Sequence, residues 1–458
     1  MMSLGWDSLP LLPLRCILQH LSTEDALAAM STCRHWRNAL LLYEGHKKTL
    51  KLKVNYLERN MFLARLFRKN IEQLHIYLEC TEGQLEKFQD YVLPQFFDAV
   101  KLQEIIFIGP SYMRLSQYVP FKLKRIITES LVFKHIHSLK KLAFIGCNVA
   151  AVSDENERYT HRHVEHYSRP LLFSSSPADA ILARSNVDAM LFSSLQHIIV
   201  EYDQVTTEAI ESLARLNSLR NLSLNLIGER NLTLRPIRWH RIREVFGGRL
   251  NVAVNIISLP SKKFKDVIEN VLVEGLPLVS LKVLYCKMIS VPVLEHLVQV
   301  FRGCLQELVW ADCPANTEQR TFVKGWHNVT CEVNPFIMLC WQCTSLRRLA
   351  VHGYWFWQYD VVGFVRMCSS LRILEISSVY DRPERLSVSQ YGTSALRVLV
   401  GDLHLNPDIK YINQVNEYAN FKYQPLSWSS LPAGLRARAS ARKRTEYIQQ
   451  EVASTGVT

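Results

Sequence analysis

Five cysteines crowd one stretch of the chain: Cys304, Cys313, Cys331, Cys340 and Cys343. Cys340-x-x-Cys343 has the spacing that lets two sulfurs reach one zinc ion or exchange a disulfide. A closed zinc site needs a second close pair or a histidine at ligand spacing, and neither accompanies it. Cys343 and Cys368 instead stand three residues before leucines of a recurring pattern, and Cys147 and Cys313 stand eight residues after such leucines. Those are packing positions, so buried structural thiols are expected and no metal is. His161-Arg162-His163-Val164-Glu165-His166 offers three imidazoles to a divalent ion. It sits in a polar stretch with nothing to orient the rings, and a solvated insertion is expected. There is no nucleophile elbow, no phosphate-cradling glycine loop and no His-Glu-x-x-His helix. Cys33 lies on an apolar stripe. A non-catalytic chain without a cofactor is the expectation.

The elements that carry function must then be binding surfaces, and the first is the amino-terminal stretch. Trp6-Asp7-Ser8-Leu9-Pro10 leads into Leu11-Leu12-Pro13-Leu14 and on to Leu21. Pro10 and Pro13 fit a turn and a first helical turn, where a missing N–H costs little. Leu14, Ile17, Leu18 and Leu21 share one helical face. Ser22 with Asp25 three places on starts a second helix, whose apolar face continues through Leu27 and Met30. A third helix carries Cys33, Trp36 and Leu40. Three short helices in about forty residues cannot hide this much apolar surface among themselves. Each such side chain is worth roughly 1.5–3 kcal/mol when fully buried, so the excess points to a partner.

The ordered frame Leu9, Pro10, Ile17, Leu21, Leu27, Cys33, Arg34 and Trp36 resembles an F-box. It departs from that family at Leu12, where an acidic residue is usual. The resemblance implies docking on the Skp adaptor, and through it on a cullin scaffold in a ubiquitin ligase. The adaptor-facing residues it implies, with the apolar positions around them, are Leu9, Pro10, Leu14, Ile17, Leu18, Leu21, Leu27, Met30 and Trp36. A narrower likeness, over residues 5–42 and about 334–380, is to the F-box only proteins of the thirty-three type. The second stretch rests on Asn334-Pro335-Phe336 through Leu346, with Leu349, Ala350, His352, Gly353 and Tyr354.

From Ile71 a hexamer recurs: Ile71-x-x-Leu74-x-Ile76, then starts at Leu102, Leu139, Leu195, Leu219, Leu281, Leu305, Leu346, Leu371 and Leu396. Several starts lie 24 or 25 residues apart, the period of leucine-rich repeats. The two-residue alternation marks a strand with one face buried, and the leucine three places earlier fills the turn into it. Helical pieces such as Val361 to Met367 close each layer. No single unit buries its own face, so the units must stack. Leu250 to Ile256 reads as a degenerate strand, Val152 to Asp188 as a polar insertion, and Pro314 to Asn334 as a shorter interruption.

The expected fold is therefore α/β: a three-helix F-box over 1–43, a linker helix over 44–70, and an irregular leucine-rich-repeat solenoid, a horseshoe, over 71–406. A cap or extension follows over 407–431, and a disordered basic tail over 432–458 carries Arg436, Arg438, Arg442, Lys443 and Arg444. The densest aromatic run, Tyr354 to Tyr359, offers Trp355, Trp357 and Tyr359, with Arg347, as a surface for a target protein. The alternation there also fits core rings at every second place. The chain of 458 residues has a net charge of +12 and 11 scattered cysteines, with no secretory signal or apolar span. It reads as cytoplasmic or nuclear, with reduced thiols, and neither a membrane nor nucleic acid is an expected partner. The function expected is substrate recognition in a Skp–cullin–F-box ligase; the alternative is a repeat scaffold that binds the adaptor without directing ubiquitin transfer.

Overall fold

A computed structural model describes residues 5–21, 23–42, 49–68, 71–97, 102–109, 131, 134–135, 137–147, 193–228, 234–313, 334–380, 404–405, 409–427, 429–436 and 439–454. The insertion expected at 152–188, the three-histidine cluster, Cys331, and the hexamer starting at Leu396 lie outside them. Three helices open the chain: α1 (Leu11–His20), α2 (Thr23–Thr32) and α3 (Arg34–Leu42).

Twelve strands follow in a single sheet whose spatial order is the sequence order, and every described pair is parallel. They are β1 (Thr49–Lys53), β2 (Gln73–Tyr77), β3 (Glu104–Ile108), β4 (Lys141–Ile145), β5 (His197–Glu201) and β6 (Asn221–Ile227), then β7 (Asn251–Ile257), β8 (Leu278–Leu284), β9 (Glu307–Ala311), β10 (Arg348–Trp357), β11 (Ile373–Tyr380) and β12 (His404–Leu405). Helices return the chain between strands: α4 (Leu57–Phe67), α5 (Glu82–Tyr91), α6 (Thr207–Leu213), α7 (Trp239–Phe246), α8 (Phe264–Asn270), α9 (Val291–Phe301), α10 (Pro335–Gln342) and α11 (Gln358–Met367). After β12 come α12 (Ile409–Tyr418) and α13 (Ala441–Ala453). Among the described residues no helix is long and apolar enough to cross a membrane.

The local signals are those of short, well-punctuated units. Thr81 and Gln84 form a capping box at the start of α5, and the Thr206 hydroxyl accepts the Ala209 N–H at α6. Asn334 accepts the Phe336 N–H and Pro335 opens α10, where a missing N–H is harmless. Pattern leucines such as Leu74, Leu142, Leu222 and Leu349 point to the helix side and form one continuous core. The residues between them form a second, smaller apolar cluster on the opposite face, from Ile106 on β3 to Ala350 on β10. Strands buried on both faces read as apolar runs, as in Glu-Ile-Ile-Phe-Ile of β3.

Three expectations are corrected here. In place of the linker helix expected over 44–70, the described residues 49–68 form β1 and α4; β1 pairs with β2, Thr49 opposite Gln73, so they supply the first unit of the array. The hexamer read at Leu281-x-x-Leu284-x-Cys286 is three residues late. β8 ends at Leu284, with Leu281 opposite Val254, and Leu281 and Val283 face the helices while Leu284 faces the other side. Both frames satisfy the pattern, because 278, 281, 283 and 284 are all apolar; pairing with β7 chooses between them. Within the tail expected to be disordered over 432–458, Ala441–Ala453 form α13, held on the sheet with Tyr447, Ile448 and Val452 buried.

Trp310 on β9 shows how the helix-side core is filled. It is fully buried, donates its Nε1–H to the Met288 carbonyl (3.0 Å), and stacks on Phe264 at 6.3 Å between centroids. Trp310→Ala is expected to destabilise the fold by about 3–5 kcal/mol, read as a lower urea midpoint. A shift below about 1 kcal/mol would show that the site collapses around the missing ring.

Candidate interaction surfaces

The amino-terminal helices sort their apolar side chains in two directions. Leu14 and Leu18, one turn apart on α1, are buried inside the chain, with Met30 of α2 and Ala39 and Leu40 of α3. Leu9, Ile17, Leu21 and Trp36 are half-buried, Pro10 is exposed, and Leu27 falls on α2. Trp6 and Leu12 are each 74% exposed, and Leu11 is 44% exposed. Backbone carbonyls fix the edge of this surface: Trp36 Nε1–H donates to Trp6 O (2.7 Å), and His35 Nε2–H to Leu9 O (2.6 Å). Of the expected adaptor-facing residues, Leu14, Leu18 and Met30 thus hold the helices together. The apolar side chains presented outward include Trp6, Leu11 and Leu12, which the sequence reading left out. Leu12 is the position where an acidic residue is usual, and its exposure makes that end greasier.

The expected target surface is not gathered in one place. Arg347 is exposed at one end of β10, while Trp357 and Tyr359 are exposed at the other, about 30 Å away for a ten-residue strand. Trp357 and Tyr359 do meet edge to face at 4.9 Å, and Trp355 is half-buried. Tyr354 and Phe356 are core: Phe356 packs edge-on against Phe336 and Phe364, and Tyr354 donates its hydroxyl to Asp312. The neighbouring helices add Met338 and Trp341 on α10, Met367 on α11 and Tyr418 on α12, all exposed. Arg366 lies over the Tyr418 ring at 5.5 Å.

Among the described residues five cysteines, Cys147, Cys286, Cys340, Cys343 and Cys368, are buried; Cys304 and Cys313 are half-buried and Cys16 is exposed. Cys147 and Cys286 sit just past the ends of β4 and β8, and each thiol points at one carbonyl of its own strand and one of the preceding strand. Cys340, Cys343 and Cys368 are buried in the helix-side core, and burial pushes the Cys343 thiol up to about 12.

A third surface was missed altogether. Lys141, Lys282, Glu307, Arg348 and Glu375 each stand beside a pattern leucine, so the two-residue alternation points them away from the helix-side core. Lys141, Lys282 and Arg348 meet α13 there, and Glu307 and Glu375 pair with Arg348. Lys282 is 2% exposed and its Nζ lies 3.7 Å from Glu307 and 3.3 Å from Glu451 of α13. Arg348 reaches Glu307 (2.8 Å), Glu375 (3.2 Å) and Glu451 (3.4 Å). The signal that could have found α13 is Tyr447, Ile448 and Val452 on one helical face, behind a Ser440 cap that accepts the Lys443 N–H.

A family model described as F-box domain matches residues 6–46. Two curated relatives match over 45 residues: F-box only protein 33 of Homo sapiens at 38% identity and of Mus musculus at 36%. Each match covers 10% of this chain and 8% of the relative's length. The homology is weak and confined to the F-box region, so it does not extend to the stretch at 334–380. Among solved structures, the yeast Rad7–Elc1 complex aligns at a TM-score of 0.35 and 14% identity, over 87% of this chain and 85% of that one. An internalin of Listeria monocytogenes aligns at 0.23 and 10%, over 88% and 94%. The parallel array itself rests on this chain's own strand pairing.

The carboxylates on the sheet face make stability depend on pH. Hydrogen bonding from His352, and then the charge of Arg348, hold Glu375 at about 2 against the effect of burial. Burial works to raise Glu451, but Lys282 and Arg348 outweigh it and hold its carboxyl below the ordinary range. Unfolded glutamates titrate near about 4.3, so below that the unfolded chain takes up protons the folded chain refuses. This contribution is complete above about pH 5 and disappears as the pH falls toward 2. The melting temperature is expected to drop across that window, and less steeply in Glu451→Gln; identical pH slopes would remove Glu451 from the balance.

Proposed function

With an F-box domain at residues 6–46 as its amino-terminal unit, the chain is, we propose, the substrate-recognition subunit of a Skp–cullin–F-box ubiquitin ligase. The box docks on the Skp adaptor, and the leucine-rich-repeat-type array holds a target protein. The observation that carries this reading is the F-box match together with the outward side chains Trp6, Leu11 and Leu12 at its edge. A surface of large apolar groups beside Leu9, Pro10 and Trp36 is costly in water and is covered when the adaptor docks. Leu14, Leu18 and Met30 keep the docking surface in shape.

The role of this chain is non-catalytic. It raises the effective concentration of target lysines near a ubiquitin-charged enzyme held by the cullin scaffold. No group on this chain needs to touch the reacting thioester.

Co-purification with adaptor and cullin tests the reading, followed by ubiquitin transfer onto bound partners. Adaptor capture without transfer would favour a scaffold that directs no ubiquitin. Leu11→Asp and Trp6→Ala are each expected to weaken adaptor binding about 10- to 100-fold with the melting temperature little changed. Leu9→Asp is expected to abolish binding. Leu18→Ala should instead destabilise the box by about 2–5 kcal/mol. Unchanged adaptor binding in all the outward variants would refute the docking assignment.

A further inference from the structure

Residues 429–436 and 439–454 cross the sheet face opposite the helices, and the sheet receives them as a ligand. Lys141 of β4 donates to the Ala453 carbonyl, and Lys282 of β8 to the Glu451 carbonyl (2.7 Å) and the Ser454 hydroxyl (2.6 Å). The last carbonyls of a helix have no partner within it, and its C-terminal end carries partial negative charge. Two ammonium groups from distant strands satisfy both needs, and Arg348 pairs with the last-turn carboxylate of Glu451. Beneath the helix, Tyr447, Ile448 and Val452 rest on the apolar cluster that includes Ile145, Ile257 and Leu284. Gly434 is close-packed: a Cβ there would meet the Tyr447 side chain and the Lys443 carbonyl.

One feature marks α13 as an occupant rather than a beam of the fold. The sheet ladder and the helix-side core are complete without it, and if it leaves, Lys282, Arg348 and Glu307 regain water instead of staying buried and unpaired. Yet the face cannot stay bare, because its floor is a contiguous apolar patch spanning β3 to β10. It needs a helix, but not this one.

We propose that this sheet face is the receptor for an amphipathic helix of the target protein, one with a carboxylate in its last turn, and that α13 is its tethered competitor. A target helix that pairs Lys141, Lys282 and Arg348 and covers the apolar floor displaces α13. This deepens the reading that the array captures a target, and rests on it.

The full chain allows the test. In amide hydrogen exchange, α13 is expected to exchange about 100-fold faster than β6, β7 and β8, because it opens without global unfolding. A fluorescent peptide of residues 429–458 is then added to wild type and to the full-length double variant Ile448→Asp/Glu451→Lys, whose own helix is released. The peptide is expected to bind the released variant about 10-fold or more tighter than wild type, and Lys282→Glu in that background should abolish the gain. Protection of α13 equal to that of the central strands overturns the proposal. So does a released variant that ignores the peptide, or one whose central strands lose protection, which would make α13 integral to the fold. Adaptor capture measured on the same variants separates the two levels: its absence from wild type removes the ligase reading and leaves the peptide result standing.

Discussion

A parallel strand buried on one side only is an unfinished structure, and this chain contains a row of them. Each strand places its pattern leucines against helices of its own unit and its neighbours, so no unit is complete alone. The same period-two geometry sends the intervening residues to the other face. In the middle of the array these are isoleucine, alanine, valine and leucine, which are as unwilling to meet water as the leucines are. Both faces must be covered. The helix side is covered locally, by the segment between one strand and the next. The other side is covered by a segment from the far end of the chain.

That difference explains the charges. The helix-side core is almost wholly apolar, whereas the opposite face is rimmed by Lys141, Lys282, Glu307, Arg348 and Glu375. Apolar contact alone lets a helix slide or reverse; buried ion pairs and lysine-to-carbonyl bonds accept one direction and one register. Buried charges of this kind add more to specificity than to net stability, because desolvation offsets much of their attraction. At the amino terminus the division is drawn differently. Leu14, Leu18 and Met30 turn inward and give three short helices a core, while Trp6, Leu11 and Leu12 are left facing out. One end of the molecule thus displays its apolar groups and the other covers them.

The repeat spacing placed most of the strands, since Leu-x-x-Leu-x-Leu is a local consequence of a turn followed by a half-buried strand. It slipped at β8, where four apolar residues satisfied two frames and only the hydrogen bonds to β7 decided between them. It passed over β1, whose Leu50 and Leu52 sit in a basic stretch, because a five-residue strand carries little signal without its neighbour. In the aromatic run the alternation was legible: Tyr354 and Phe356 are inside, and Trp357 is outside. The helical box was legible in its helices and its ordered frame, but the direction of each side chain was not, because a helical face says what is apolar and not which neighbour it meets.

What the sequence determined by itself, then, is whatever repeats or caps within a few residues: three opening helices, an F-box frame, a succession of strands with helices between them. What only the tertiary structure decided is how the two ends of the chain are used. Lys282 finds Glu451 across 169 residues and Lys141 finds Ala453 across 312. No local periodicity records a partner at that separation, because such a contact exists only after the strands have stacked and brought both lysines onto one face.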